Sequence, residues 1–184
     1  MRPELISASL VKIGVLVIAC SFSATLALAA SGGGSSGSGS STPSCPKGEV
    51  YDSKAGKCAK SSSGLDDKEL YSQGRELALA GRYAEALTAL EAVKNQNDAM
   101  VLTMIGYSKR KLGNYDDGVA FYERALAIEP NNVNTHEYLG EALAEKGKVD
   151  LAKAELVKIA AVCGTTCEQY QDLSKAIAGT PDEN

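Results

Sequence analysis

Residues 105–132 read IGYSKRKLGNYDDGVAFYERALAIEPNN, and their punctuation sets the fold. Strong helix formers run on both sides of Gly113, which allows a tight turn without a Cβ penalty, and Glu129-Pro130-Asn131-Asn132 stops the second helix. The stretch is therefore a helical hairpin. The same grid recurs upstream and downstream. Gly74, Gly106 and Gly140 align, and Gly81, Gly113 and Gly147 follow each by seven residues. Tyr83, Tyr115 and Val149 come two residues later. Ala86, Gly118 and Ala152 form the next column, then Leu90, Tyr122 and Leu156, then Val93, Ala125 and Ile159. The period is 32 residues, then 34. Small residues in each helix let paired helices approach closely, and the large apolar columns fill the space between hairpins. A lone hairpin cannot bury its apolar face, so stability has to come from stacking.

These columns resemble the tetratricopeptide repeat family. The middle copy matches best, through Ile105-Gly106, Leu112 to Gly118 and Phe121 to Leu126 up to Pro130. The third copy contributes Tyr138 to Leu143 and Gly147 to Ala152, and the first Ala80 to Ala86. The resemblance covers about residues 65–162. It departs from the family pattern where Leu70, Leu102 and His136 replace a tryptophan, and where Lys109 replaces an aromatic. Pro130 has no counterpart in the first copy, which is two residues short around Asn95 to Asp98. The resemblance implies an all-α, right-handed stack of about three hairpins, at 67–98, 99–132 and 133–164 of a domain over 65–178.

The helix boundaries are legible. Asp66 with Glu69 three residues on is a capping signal, and Tyr83 to Val93 carries the period of the second helix. After the third hairpin, Gly164 ends a helix and Thr165 to Glu168 opens another with a capping box. Tyr170, Leu173, Ala176 and Ile177 give residues 165–178 one apolar face, as a terminal cap on a stack requires.

The amino-terminal third is different. Arg2 and Lys12 precede an apolar stretch from Ile13 to Leu28 that ends in Ala27-Leu28-Ala29. Residues 1–29 read as a cleavable signal peptide, which places the mature chain in a periplasm or outside the cell. The alternative is a lipobox at Val17 to Cys20, which would anchor the chain to a membrane by a lipid on Cys20. Residues 30–44 form a Gly/Ser-rich flexible linker. Residues 45–58, CPKGEVYDSKAGKC, form a small loop with Val50 and Tyr51 in an extended turn between glycine breakers.

Four cysteines besides Cys20 permit three connectivities. Each close pair brackets its own segment, which favours Cys45–Cys58 and Cys163–Cys167, and an exported chain makes disulfides the default. Closing the first loop stabilises it by about 3 kcal/mol in the chain-entropy picture.

The 184-residue chain carries a net charge of −4. Loss of residues 1–29 removes Arg2, Lys12 and Glu4 and leaves −5. Without a basic stripe the chain is no nucleic-acid binder. The single histidine, His136, occupies a packing column with no evident carboxylate partner. No metal site, cofactor motif or catalytic constellation is expected, because the glycines fall on the repeat grid and not in a phosphate-binding loop.

In the resembling family the first helix of each hairpin lines a concave, ligand-binding face. Carried over repeat by repeat, the inward residues are Lys68, Tyr71 and Arg75, then Met100, Thr103, Tyr107, Arg110 and Lys111, then Asn134, Glu137 and Glu141. The cations with Tyr71 and Tyr107 suit an acidic or carboxyl-terminal peptide. The expected role is a noncatalytic adaptor or scaffold in a cell envelope, binding a protein or peptide. The alternatives are a lipid-anchored assembly factor and a thiol-redox protein using Cys163 and Cys167. An exposed stack end leaves a homodimer open.

Overall fold

A computed structural model describes residues 41–61 and 64–179. They fall in a unit spanning Ser36–Asn184; the other unit, Met1–Ser35, lies outside them, as do the expected signal peptide and Cys20. Among the described residues two strands, β1 (Glu49–Asp52) and β2 (Lys57–Lys60), precede seven helices. These are α1 (Asp67–Leu79), α2 (Tyr83–Leu90), α3 (Ala99–Lys111), α4 (Tyr115–Ile128), α5 (Val133–Glu145), α6 (Val149–Cys163) and α7 (Glu168–Ala178). Helices α1–α2, α3–α4 and α5–α6 pair as antiparallel hairpins, and α7 packs on both α5 and α6. The all-α stack is the architecture that the repeat grid implies.

First helices touch their successors, α1 with α3, α3 with α5, and α5 with α7, whereas α2, α4 and α6 make no comparable contact with one another. A stack whose first helices are drawn together curves with that row inside. The inner row is thus set by packing, and it is the face that the repeats imply for ligand binding.

The turn glycines Gly81, Gly113 and Gly147 sit at φ of 79°, 92° and 70°. In the middle hairpin the small-residue columns meet. A Cβ on Gly106 would lie 2.9 Å from the Gly118 carbonyl oxygen and 2.9 Å from the Tyr122 ring. Tyr122 is fully buried against this contact. The third hairpin differs. There the space over Gly140 is filled by Leu173 of α7, 2.5 Å from a Cβ built at that glycine. The capping helix is therefore keyed into the stack by the same small-residue device that joins helices within a hairpin.

Local details depart from expectation in three places. The α2 helix stops at Leu90 and not at Val93. The Gln96 amide donates to the carbonyls of Leu90 and Val93, and the Asp67 carboxylate accepts from the N–H groups of Lys94 and Asn95. Side chains thus satisfy backbone groups that a longer helix would have paired, while Val93 still turns into the core. At α7 no capping box forms. Cys167 is the N-cap residue, without a side-chain cap bond, because its sulfur is tied to Cys163. At α1, Asp66 does cap, accepting from the N–H groups of Lys68 and Glu69, but Glu69 reaches away to Ser53.

The small loop is more ordered than a turn. Its strands pair antiparallel from Glu49↔Lys60 to Asp52↔Lys57, two residues beyond Cys58. Val50 is 2% exposed and joins the core of the first hairpin. Gln73 of α1 binds Tyr51 from both sides, its Nε2 donating to the Tyr51 carbonyl at 2.7 Å and its Oε1 accepting from the Tyr51 N–H at 3.1 Å. The end of the Gly/Ser stretch is engaged as well. Ser41 Oγ and the Thr42 N–H donate to Glu76, Ser44 Oγ donates to Glu85, and Arg82 donates to the Thr42 carbonyl. The stack is thereby closed at its amino-terminal end, as α7 closes it at the other. A disulfide joins Cys45 to Cys58, with their Cα atoms 5.7 Å apart, and a second joins Cys163 to Cys167.

Gly106→Ala is expected to lower unfolding free energy by about 1–3 kcal/mol, because two backbones must separate. Gly113→Ala, where the added methyl meets open space, is expected to cost roughly 1–2 kcal/mol through its left-handed backbone alone. Urea unfolding measures both, and the Tyr122 environment, followed by near-ultraviolet circular dichroism, should change only in the first.

Candidate functional site

Position 5 of each first helix, counting the repeated glycine (Gly74, Gly106, Gly140) as position eight, carries Tyr71, Thr103 and Glu137. Position 9 carries Arg75, Tyr107 and Glu141. Helical spacing puts both rows on the inner face. Tyr71, Arg75, Met100, Thr103 and Asn134, all expected inward, line one cleft of about 310 Å³ together with Met104, Asn132 and Tyr138. Thr103 contributes its methyl and backbone more than a free hydroxyl, because Oγ1 is bonded to the Ala99 carbonyl and 2.7 Å from Thr135 Oγ1. Arg75 is exposed and makes no ion pair among the described residues. The cleft is therefore apolar and aromatic on its floor, with one unpaired cation at its α1 rim.

Lys68 is exposed on α1 but outside this cleft, and two further expected cations, Arg110 and Lys111, are engaged within the fold. The Arg110 side chain is only 1% exposed. Its Cβ is pressed against Gly118, and its guanidinium binds Glu141 at 2.8 Å and also Glu145. Nε donates to the Tyr122 hydroxyl at 3.4 Å, and the group stands 5.6 Å over the Tyr107 ring. Lys111 lies 3.5 Å from Glu145 and 5.6 Å from the centre of the Tyr107 ring. Arg110 and Glu141 thus couple the second repeat to the third. Sequence spacing had put Arg110 inward, but the close approach at Gly118 buries it.

Tyr107 is half-buried within an aromatic ladder. Its ring centroid is 6.0 Å from Tyr83 and 4.9 Å from Tyr138, and Tyr138 lies 6.5 Å from Tyr122. Burial pushes the Tyr107 and Tyr138 hydroxyls up to about 12, so both remain neutral donors. Tyr138 and Met104 were not among the expected site residues. The signal for Tyr138 was its place beside the Glu137 column, but only the α3–α5 packing shows that it reaches the cleft.

Glu137 is the unusual member. It is 8% exposed and has no hydrogen-bond or ion-pair partner among the described residues. Burial raises its carboxyl to about 8, and the charges of Glu141, Asp172 and Glu168 push in the same direction. Asn134, one turn earlier on the same face, accepts a 3.0 Å bond from Gln169 Nε2 of α7. The capping helix therefore walls the carboxyl-terminal end of the groove.

His136 corrects another expectation, for it does have a carboxylate partner. Its Nδ1 is 2.6 Å from Glu155 Oε2 of α6, and its Nε2 is 2.8 Å from the Pro130 carbonyl oxygen. A carbonyl only accepts, so Nε2 carries a hydrogen and the imidazole ties the α4–α5 turn to α6. Lys158 binds the second Glu155 oxygen at 2.8 Å. The residue is buried at 4% exposure, in a structural clamp away from the inner face.

Glu137 makes a stability prediction with a definite sign. Its native carboxyl holds a proton above the unfolded value of 4.5, so its contribution to stability is present below pH 4.5 and is lost as pH rises towards 8. Glu137→Gln should therefore be more stable than the parent at pH 8, by roughly 1–2 kcal/mol given that solvent reaches one edge of the site, and equal to it near pH 4. Urea midpoints across that range measure the difference.

Comparison with known proteins agrees with this geometry. A family profile described as TPR repeat matches residues 106–147, the span from the first inner glycine of the middle hairpin to the turn glycine of the third. The TPR repeat-containing protein MJ1428 of Methanocaldococcus jannaschii is 28% identical over 123 residues, which are 65% of this chain but only 22% of that protein. Among solved structures, MamA from AMB-1 is 31% identical, with 61% of this chain and 67% of that chain covered and a TM-score of 0.50. The fold is shared with the Yersinia enterocolitica type III secretion chaperone SycD, solved with a peptide of the translocator YopD (18% identity, 64% and 92% covered, TM-score 0.52). It is also shared with PcrH, solved with the chaperone-binding region of PopB (19% identity, 64% and 98% covered, TM-score 0.51). With its three glycine-punctuated hairpins, its inner row of first helices and these relatives, the chain belongs to the tetratricopeptide-repeat family.

Proposed function

We propose that this protein is a noncatalytic adaptor that binds an extended segment of a protein partner along the inner face of its stack. The observation that carries the reading is the cleft across α1, α3 and α5. Three successive repeats contribute to it, so a ligand lying there runs across all of them. Its lining combines aromatic and methionine surface with polar groups at the rims. That composition suits an extended chain, with flexible Met100 and Met104 adapting to side chains and Tyr71 and Tyr138 offering flat contact at low entropy cost. Two solved proteins of the same fold, SycD and PcrH, were determined with a partner peptide or partner region bound.

The proposed setting is a cell envelope, periplasmic or extracellular. What supports it is the amino-terminal signal pattern in the sequence and two disulfides, which persist in oxidising compartments. The intact mass of the purified native protein distinguishes cleavage after Ala29 from lipid on Cys20. An uncut leader would remove the export reading.

The groove is tested by placing a photo-crosslinking residue at Met100, on the exposed rim of the cleft, with a control at Lys153 on the exposed side of α6. In the native cell, Met100 should capture a contiguous segment of one partner, and Lys153 should not. Capture from Lys153 alone, or from neither position, overturns the groove reading.

A further inference from the structure

The polar groups lining the cleft across α1, α3 and α5 are unequally divided between donors and acceptors. Thr103 and Asn132 are engaged within the fold. The first donates to the Ala99 carbonyl, and the second accepts from the Thr135 N–H and donates to Glu129. What remains in the lining is the Arg75 guanidinium, the Tyr71 and Tyr138 hydroxyls and the Asn134 amide nitrogen. None of these atoms has a hydrogen-bond or ion-pair partner among the described residues, since Asn134 uses only its oxygen, towards Gln169. Arg75 is the single charged side chain in the lining. Burial raises the Tyr71 and Tyr138 hydroxyls, and the charge of Arg75 acts on both in the opposite sense. The guanidinium therefore stands within electrostatic reach of two phenols from different repeats, one on α1 and one on α5. Asp98 acts on Tyr71, and Glu137 and Glu141 act on Tyr138, but no carboxylate lines the cleft. Asp98 caps α3, and Glu141 holds Arg110. A guanidinium only donates and a neutral phenol donates readily, so one cleft collects donors for which the fold supplies no acceptor.

We infer that Arg75, Tyr71 and Tyr138 together receive a carboxylate of the bound segment, either an Asp or Glu side chain or the chain terminus. The inference rests on the proposed groove and names what its occupant must carry. A carboxylate accepts several hydrogen bonds at once, and its two oxygens match the fork of a guanidinium, with lone pairs left for the phenols. Met100 and Met104 then adapt to the apolar neighbours of the acid. A lysine or arginine at the same place meets the Arg75 charge and finds no carboxylate in the lining. The sequence pointed to acid recognition by Arg75, Arg110 and Lys111 acting together. Arg110 and Lys111 are held by Glu141 and Glu145, so Arg75 alone supplies the charge. The second phenol, Tyr138, reaches the cleft only because α3 and α5 pack together, which makes the site a property of the stack and not of one repeat.

The test selects two synthetic peptide libraries, randomised over about twelve residues, against the full chain. One library ends in a free carboxylate and the other in an amide. A photo-crosslinking residue at Met100 reports which selected peptides lie in the groove, and those are titrated against the parent, Arg75→Gln, Tyr71→Phe and Tyr138→Phe. Groove peptides are expected to carry Asp or Glu at a fixed register in both libraries. If the chain terminus is the ligand, they come from the free-carboxylate library alone. Affinity should fall roughly ten-fold or more on Arg75→Gln, and about three-fold or more on each Tyr→Phe change. Converting that one carboxylate to its amide should lose as much as Arg75→Gln, with nothing further lost when both are changed. Each variant removes a group without a partner in the fold, so the stack should stay folded, as circular dichroism checks. Peptides captured at Met100 that need no carboxylate, or that bind Arg75→Gln as well as the parent, would overturn the inference and leave the groove standing. If no selected peptide is captured at Met100, the groove reading fails, and this inference with it.

Discussion

The contact between Gly106 and Gly118 is the constraint from which much of the middle of the molecule follows. With no side chain on either residue, α3 and α4 close until each glycine meets the backbone of the other. That approach presses Tyr122 onto Gly106 and buries it. It also presses the Cβ of Arg110 against Gly118, which leaves the guanidinium no route to bulk water. A buried guanidinium needs acceptors, and the carboxylates it finds belong to the next repeat, Glu141 and Glu145. Close packing inside one hairpin is thus converted into an electrostatic link between two. Replacing both partners by apolar groups would sacrifice that register, whereas losing one would strand the other.

The same logic sets the ends of the stack. A repeat at either end exposes the surface that its neighbour would have covered, and the chain supplies unlike elements for the task. At one end a two-stranded hairpin inserts Val50 and is gripped through the Gln73 amide, with Ser41, Thr42 and Ser44 bound to Glu76, Arg82 and Glu85. At the other, Leu173 occupies the space over Gly140, and the Cys163–Cys167 bond holds the start of α7 beside the end of α6. The carboxyl-terminal cap has a second effect. It brings the charges of Asp172 and Glu168 close enough to Glu137 to add to the burial that raises its carboxyl.

The inner face consequently differs from a row of solvated charges. Thr103, Arg110 and Glu141 have internal partners and act as framework. Tyr71, Met100, Met104, Tyr138 and Arg75 line the cleft and form the surface proposed to meet a ligand. Tyr107 joins the two sets, stacked between the aromatic ladder and the Arg110 and Lys111 side chains. Fixed aromatic groups beside adaptable methionines are the features on which the proposed binding of an extended chain rests.

The sequence by itself determined the periodic part of this protein. Glycines at two columns mark where helices must turn and where they must touch, because no other residue fits those places, and counting from them assigns each first-helix residue to the inner or outer face. It also identified the two disulfide pairs that the structure carries, since each pair is close in the chain. What it left open is whatever depends on distance across repeats. That Arg110 is held by Glu141 and Glu145, that His136 meets Glu155 and that Leu173 fills the space over Gly140 are contacts between residues 19 to 35 positions apart. Periodicity specifies the direction in which a side chain points from its own helix. Which groups then meet, and which of them keep their charge, depends on how closely the helices approach, and only the packed stack decides that.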